Sequence, residues 1–176
     1  MITLVPLAES GHPHFSKDLF ESAFPDEERP PFGELKNRNA NYHFLVAVIE
    51  ETNEPVGILA YWTFPKFVYV EHFAIDEELR GQGFGKAVFL NFLSQQTEQV
   101  LMEVELPHDE VSEHRIEFYA SMGLYQNPQH YVQPSYQNSD EDALQMLIMS
   151  KYELDDEDFS EMRDTLYSEV YGREKK

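Results

Sequence analysis

Three glycines at alternate positions, Gly81, Gly83 and Gly85, punctuate the segment Arg80-Gly81-Gln82-Gly83-Phe84-Gly85-Lys86. Spacing of this kind lets a backbone approach a ligand closely and turn its N–H groups inward. An apolar run follows at once, so the turn opens a helix, whose N-terminus adds partial positive charge. Arg80 and Lys86 bring two cations to the same place. The chemistry that suits such a turn is the binding of a diphosphate. Two other glycine loops fit less well. A Walker loop needs Ser or Thr after its Gly-Lys, whereas Ala87 follows Lys86. A dinucleotide fingerprint needs two residues before its third glycine, and here each gap is a single residue. A turn without a ligand is the plain alternative, but three glycines weaken a helix start unless something uses them.

Acids within strand-like runs are the second set of candidates. Period-two alternation in Tyr69-Val70-Glu71-His72-Phe73 puts Glu71 on one face with Phe73 and Ile75, and His72 on the other as a structural residue. A carboxylate among aromatics is expected to have its pKa raised, which suits a general base; a solvent-facing or salt-bridged glutamate is the competing reading. Glu103 and Glu105 alternate with Met102, Val104 and Leu106, so one strand face carries two acids. A buried strand seldom tolerates that without purpose. Either the pair lines a cleft and holds an amine or its attacking water, or it marks the exposed face. The seven histidines suggest no metal site. His12 and His14 lie in a loop, and no pair has helical i, i+4 spacing. The absence of cysteine removes a thiol nucleophile, disulfides and thiolate metal sites together, and fits a reducing cytoplasm.

These candidates must be positioned by ordinary elements. Residues 2–7 read as a strand, rather than a signal peptide, and Phe15 to Phe24 as a short amphipathic helix. A proline-marked loop and a second short helix to about Arg38 follow. Tyr42 to Ile49, Val56 to Phe64 and Phe67 to Ile75 read as an antiparallel meander. The helix Phe84 to Gln96 is apolar nearly all round and so is expected to be buried. Val100 to Leu106 is a strand and Ser112 to Met122 a helix ended by Gly123. An aromatic segment, Tyr131 to Tyr136, forms either a pocket wall or an ordered loop. Ala143 to Met149 is a late strand, and Asp155 to Tyr171 a helix with Phe159, Met162, Leu166 and Val170 on one stripe. The order is mixed α/β (α+β), with parallel pairing expected where the buried helix crosses over.

The chain has 176 residues, enough for one compact domain, and no apolar run long enough for a membrane span. It carries 33 acidic residues against 13 Lys and Arg, a formal net charge of -20. Such a field repels nucleic acid and anionic membranes and attracts cations. It serves either solubility or a cationic substrate.

With strand before it and helix after it, the turn at residues 80–85 resembles the Arg/Gln-x-x-Gly-x-Gly/Ala signature of the GNAT family of N-acetyltransferases. Arg115-Ile116-Glu117-Phe118-Tyr119, followed by Gly123-Leu124, resembles that family's second block. The likeness spans roughly residues 45–150. It implies a central mixed, mostly antiparallel sheet of six to seven strands, flanked by helices and splayed between the fourth and fifth strands. One domain covers residues 1–176, with a C-terminal helix at about 155–171. The resemblance further implies acetyl-CoA as co-substrate, no metal, and diphosphate binding by Arg80, Gly81, Gln82, Gly83, Phe84, Gly85 and Lys86. The pantetheine arm would pair with Phe73, Ala74 and Ile75. Ser112 stands where many members carry an Asn that contacts the pantetheine.

Tyr119 matches the family's tyrosine that protonates the CoA thiolate, with a core aromatic as the rival reading. Glu71 resembles the strand glutamate of spermidine/spermine acetyltransferases and leads Glu103 and Glu105 as the base. The activity implied is transfer of acetyl from acetyl-CoA to a primary amine, in the cytoplasm, by direct attack in a ternary complex. The acceptor implied is a small cationic amine or a protein N-terminus, and the fold admits a homodimer; neither nucleic acid nor membrane is expected as a partner. The alternatives are a non-catalytic acyl-CoA sensor on the same fold and, further off, a nucleotide-phosphate cradle.

Overall fold

Runs of β-branched and aromatic residues bounded by turns govern the first hundred residues. In the computed structural model, which describes residues 1–136 and 143–173, they pair as a meander. β1 (Ile2–Pro6), β2 (Tyr42–Ile49), β3 (Pro55–Thr63) and β4 (Phe67–Ile75) lie side by side, each antiparallel to the next. A single helical turn, α1 (Leu7–Ser10), follows β1, and α2 (Pro13–Ala23) follows it with proline in its first turn, where a missing N–H costs nothing. His12 is the N-cap residue of α2 and His14 lies within that helix rather than in a loop. These elements, with α3 (Phe84–Ser94), form one compact unit, Met1–Val100.

Helices cover this meander. α2 packs on β3 and β4, where Leu19 and Phe20 meet Phe44, Ile58, Ala60 and Ala74. A 3-10 helix at Phe32–Asn37 adds Leu35 to the same cluster. α3 packs on β1, β3 and β4, where Val88 joins Ala47, Val56 and Ile75, with Phe73, Leu79 and Phe84 against them. Phe20 and Phe89 are wholly buried, each burial being worth about 1.5–3 kcal/mol. α3 is not buried all round. Val88, Phe89 and Phe92 face inward, while Leu90 is 41% exposed, because a helix lying on a sheet covers one stripe only.

The second unit, Leu101–Lys176, takes most of β5 (Gln99–Glu105). It continues through α4 (Glu110–Ala120), β6 (Tyr125–Gln126), β7 (Tyr131–Gln133), β8 (Leu144–Ser150) and α5 (Asp156–Thr165). β8 pairs antiparallel with β5, β6 and β7, and Glu103 stands opposite Ile148. Buried Asn127 ties the segment after β6 to the end of β8 and to the residues just before α5. It donates to the Ile148 carbonyl and to Ser150 Oγ, and accepts from the Leu154 amide. The chain is mixed α/β: six strands of five or more residues and two short ones are described, beside the expected six to seven.

A π-helical turn, Leu166–Val170, ends α5. The Tyr171 amide bonds to the Leu166 carbonyl at 3.2 Å, one residue farther back than in an α-helix. The extra residue moves the apolar stripe, so Phe159, Met162, Leu166 and then Tyr171 are buried. Val170, expected in that stripe, is only half-buried.

Candidate active site

The glycine turn is exposed from Arg80 to Gly83. A 3-10 turn at Glu77–Leu79, capped by the Asp76 carboxylate on the Glu78 amide, leads into it, and Arg80 Nε donates to the Ile75 carbonyl at 3.2 Å. Gly81 and Gly83 have φ of 75° and 86°, in the left-handed region where other residues are strained. Gly83 is the N-cap of α3 and offers no side chain to the helix, so the first-turn amides have no cap from it. Those amides, the helix dipole and exposed Lys86 make a site shaped for an anion. A groove of about 660 Å³ borders the turn at Gln82, Gly83 and Phe84 and runs past Ala87 and Asn91. Phe73 and Ile75 face α3, and Ala74 faces α2.

Glu71 lies elsewhere than alternation places it. Ala60 pairs with His72 and Tyr61 with Val70, so Glu71 is the extra residue of a β-bulge. The bulge turns its side chain away from the Phe73 face and toward Trp62. There Glu71 Oε2 accepts from Arg38 at 2.5 Å and from Trp62 Nε1 at 2.9 Å, and the carboxylate is fully buried. His72 shares that side, its Nδ1 3.8 Å from Glu71 Oε2, instead of lying on the opposite face. His72 is itself buried against Phe20 and Phe24 and donates through Nε2 to the Glu28 carbonyl.

The expected rise in the Glu71 pKa is also reversed. Burial pushes it up, but His72, the Arg38 charge, and hydrogen bonds from Arg38 and Trp62 together hold it below the usual carboxylate range. Burial, the largest influence, lowers the His72 pKa despite the charge of Glu71. The Arg38 guanidinium lies over both Tyr42 and Trp62, 4.6 and 4.9 Å from their ring centres. The buried Tyr42 hydroxyl has no hydrogen-bond partner among the described residues, and burial, then the Glu71 charge, pushes its pKa up.

In the second unit, Tyr119 is 5% exposed on the last turn of α4, its ring edge-on to Phe118. Burial raises its pKa, against a small opposing effect of Arg115, so the phenol keeps its proton. Ser112 is wholly buried and committed to the start of α4. Its amide donates to Asp109 Oδ1, while its Oγ accepts from the amides of His108 and Asp109. The position given to the cofactor from sequence is therefore part of a capping box.

Glu105, half-exposed, pairs with Arg115 at 3.3 Å. Glu103 accepts from Tyr131 Oη, from Gln133 Nε2 and, at 2.7 Å, from Tyr171 Oη. The two strand acids thus go to different partners. Arg38, Trp62 and Tyr171 escaped the sequence reading; their contacts join segments 33, 9 and 68 residues apart, which no local pattern reports. Among the described residues no group of three or more His, Asp and Glu is placed to hold a metal ion. No helix there is long and apolar enough to cross a membrane.

An antiparallel meander covered by helices, with a glycine turn opening a helix after its fourth strand, is an arrangement that suits an acyl-CoA transferase. Residues 13–124 match the family model described as Acetyltransferase (GNAT) family. A structure assigned to the same family, from Bacteroides thetaiotaomicron, is 31% identical over 99% of both chains, with a TM-score of 0.87. The chain belongs to the GNAT family of acetyltransferases. The ribosomal-protein-S18-alanine N-acetyltransferase of Escherichia coli is 15% identical, over 85% of this chain and 92% of that one, with a TM-score of 0.56. An aminoglycoside 6'-N-acetyltransferase, complexed with coenzyme A, is 14% identical over 85% and 96%, with a TM-score of 0.58. These two likenesses are of fold. No curated protein matches significantly.

Proposed function

We propose that this protein, taken as one catalytic domain, moves an acetyl group from acetyl-CoA directly to a primary amine while both substrates are bound. The observation that carries the reading is the exposed turn in which Gly81 and Gly83 are left-handed and α3 begins without a side-chain cap. The CoA diphosphate lies on the amides of residues 81–86, with Arg80 and Lys86 as counter-ions, and the pantetheine runs along Phe73, Ala74 and Ile75. The structure with coenzyme A among the fold relatives supports the choice of donor.

The attacking amine must be neutral. Its nitrogen bonds to the thioester carbon, the C–S bond breaks, and the departing thiolate takes the Tyr119 proton. Burial keeps the Tyr119 phenol protonated, so it has a proton to give, although the same shift makes it a weaker acid than a free tyrosine. Glu71, held as an anion by Arg38 and Trp62, is a weak base. The amine's proton therefore leaves through water ordered by Glu71, Glu103 or Glu105. The Arg38–Glu71 pair is also the one observation that favours an acyl-CoA sensor without turnover.

Release of free thiol from acetyl-CoA, measured with a panel of primary amines, separates the two. Amine-dependent release is expected, and Tyr119→Phe should lower kcat at least about tenfold, about 1.4 kcal/mol of barrier, at unchanged acetyl-CoA affinity. Binding without release by any amine favours the sensor.

A further inference from the structure

Glu71 can serve an amine or an ordered water only if its cover moves, because its side chain is 0% exposed. Trp62 and His72, each 3% exposed, belong to paired strands and are held in place by the sheet. Arg38 is different. It sits on a surface segment, residues 36–41, in which every other residue is exposed, and it reaches inward to Glu71 Oε2 at 2.5 Å. Its side chain, 13% exposed, spans the distance from solvent to the buried acid.

What surrounds the guanidinium has the make-up of a cation site. Its carbon lies 4.6 Å from the Tyr42 ring centre and 4.9 Å from that of Trp62, within the range at which aromatic faces hold an organic cation. Glu71 supplies the carboxylate, and Trp62 Nε1, at 2.9 Å, orients it. The same parts suit an alkylammonium ion, and suit it more completely. The Tyr42 hydroxyl, buried and without a hydrogen-bond partner among the described residues, is left out of the present arrangement. An ammonium has three N–H donors on one nitrogen, enough for the carboxylate and a phenolic oxygen together. A stranded polar group is costly, so a ligand that satisfies it gains what the free protein forfeits.

We propose that Arg38 is an internal stand-in for the acceptor, whose ammonium group displaces the guanidinium from Glu71, Tyr42 and Trp62. The inference rests on the acetyl transfer proposed above and adds how the acceptor is recognised. Displacement exchanges one cation for another, so the acid keeps a positive charge beside it while Arg38 swings out from an exposed segment into water. It also takes from Glu71 two of the influences that hold its pKa down, the Arg38 charge and hydrogen bond. The carboxylate then accepts one proton from the ammonium, and the neutral nitrogen has the lone pair that attacks the thioester. An uncharged molecule of the same shape brings nothing to replace the guanidinium.

The test is equilibrium titration of the full chain with pentylamine and with pentan-1-ol, followed by the emission of Trp62, the one tryptophan in the sequence. The wild type should show a saturable change with the amine and none with the alcohol. Arg38→Ala, in which nothing has to be displaced, should bind the amine at least about tenfold more tightly. Tyr42→Phe should bind it at least about threefold more weakly while its Tm holds or rises, because the free protein loses only an unpartnered hydroxyl. Residues with a merely structural role would move Tm and leave amine affinity alone. No response of the wild type to the amine, equal responses to amine and alcohol, or binding by Arg38→Ala no tighter than by the wild type overturns the proposal. If Arg38→Ala fails to fold, Tyr42→Phe decides: unchanged affinity overturns it and weakened affinity supports it. CoA binding is measured separately. Its failure counts against the acetyl-transfer reading, whereas CoA binding without these amine responses counts against this inference only.

Discussion

Replacing Arg38 by Ala leaves the Glu71 carboxylate, which is 0% exposed, without its guanidinium. Removing one partner of a buried pair costs about 3–5 kcal/mol. Arg38 is 13% exposed, so water can follow it in, and the low end, about 3 kcal/mol, is expected. In a chain of this size each kcal/mol moves Tm by about 2–4 °C, giving a fall of about 6–12 °C. The pH dependence is more telling. In the wild type the folded pKa of Glu71 lies below its unfolded value. Its contribution is therefore present above that unfolded value, about 4.3, and is lost as pH falls through the folded one.

Arg38→Ala removes both its charge and its hydrogen bond, two of the influences that oppose burial at Glu71. The folded pKa should then rise, so the variant gains less stability than the wild type as pH rises. The gap between the two proteins should widen from about pH 4 to about pH 7, read by denaturant titration followed by circular dichroism. A gap that stays constant, or a loss below about 1 kcal/mol at neutral pH, refutes the claim that Arg38 sustains a buried charge. Arg38→Ala combined with Glu71→Gln should recover part of the loss, since no charge is then stranded.

Ser112→Ala removes the capping hydroxyl of α4 and should cost about 1 kcal/mol, a Tm fall of about 2–4 °C in a thermal melt. Acetyl-CoA affinity by calorimetry should hold, and a clear loss would return Ser112 to the cofactor. Gly83→Ala meets no atom within 4 Å of the added carbon, so its cost is the left-handed strain alone, about 1–2 kcal/mol. Acetyl-CoA should bind it at least about tenfold more weakly, and unchanged affinity would remove the turn from the diphosphate site.

Strand bounds were readable where apolar runs meet turn residues. β2 and β4 occupy the residues that pattern assigns, Tyr42–Ile49 and Phe67–Ile75. The glycine turn and the helix after it were equally plain, because glycine spacing is a local property. Glu71 shows where this ends. Alternation assumes an unbroken strand, and the bulge that reorients Glu71 depends on register with β3, a non-local match. The π turn hid Tyr171 in the same way, by adding a residue to a stripe read at α-helical spacing. β6 and β7, two and three residues long, are too short to carry a period. Ser112 was assigned by likeness of position, whereas the Asp109 cap three residues earlier claims its hydroxyl.

Trp62 is the only tryptophan in the chain, and its indole N–H is bonded to Glu71. Ultraviolet emission of the whole protein at long wavelength therefore arises from a single ring, stacked under Arg38 and touching the buried acid. Any event that shifts that charge, whether titration, arrival of an acceptor or loosening of β3, is written into one fluorophore that needs no label.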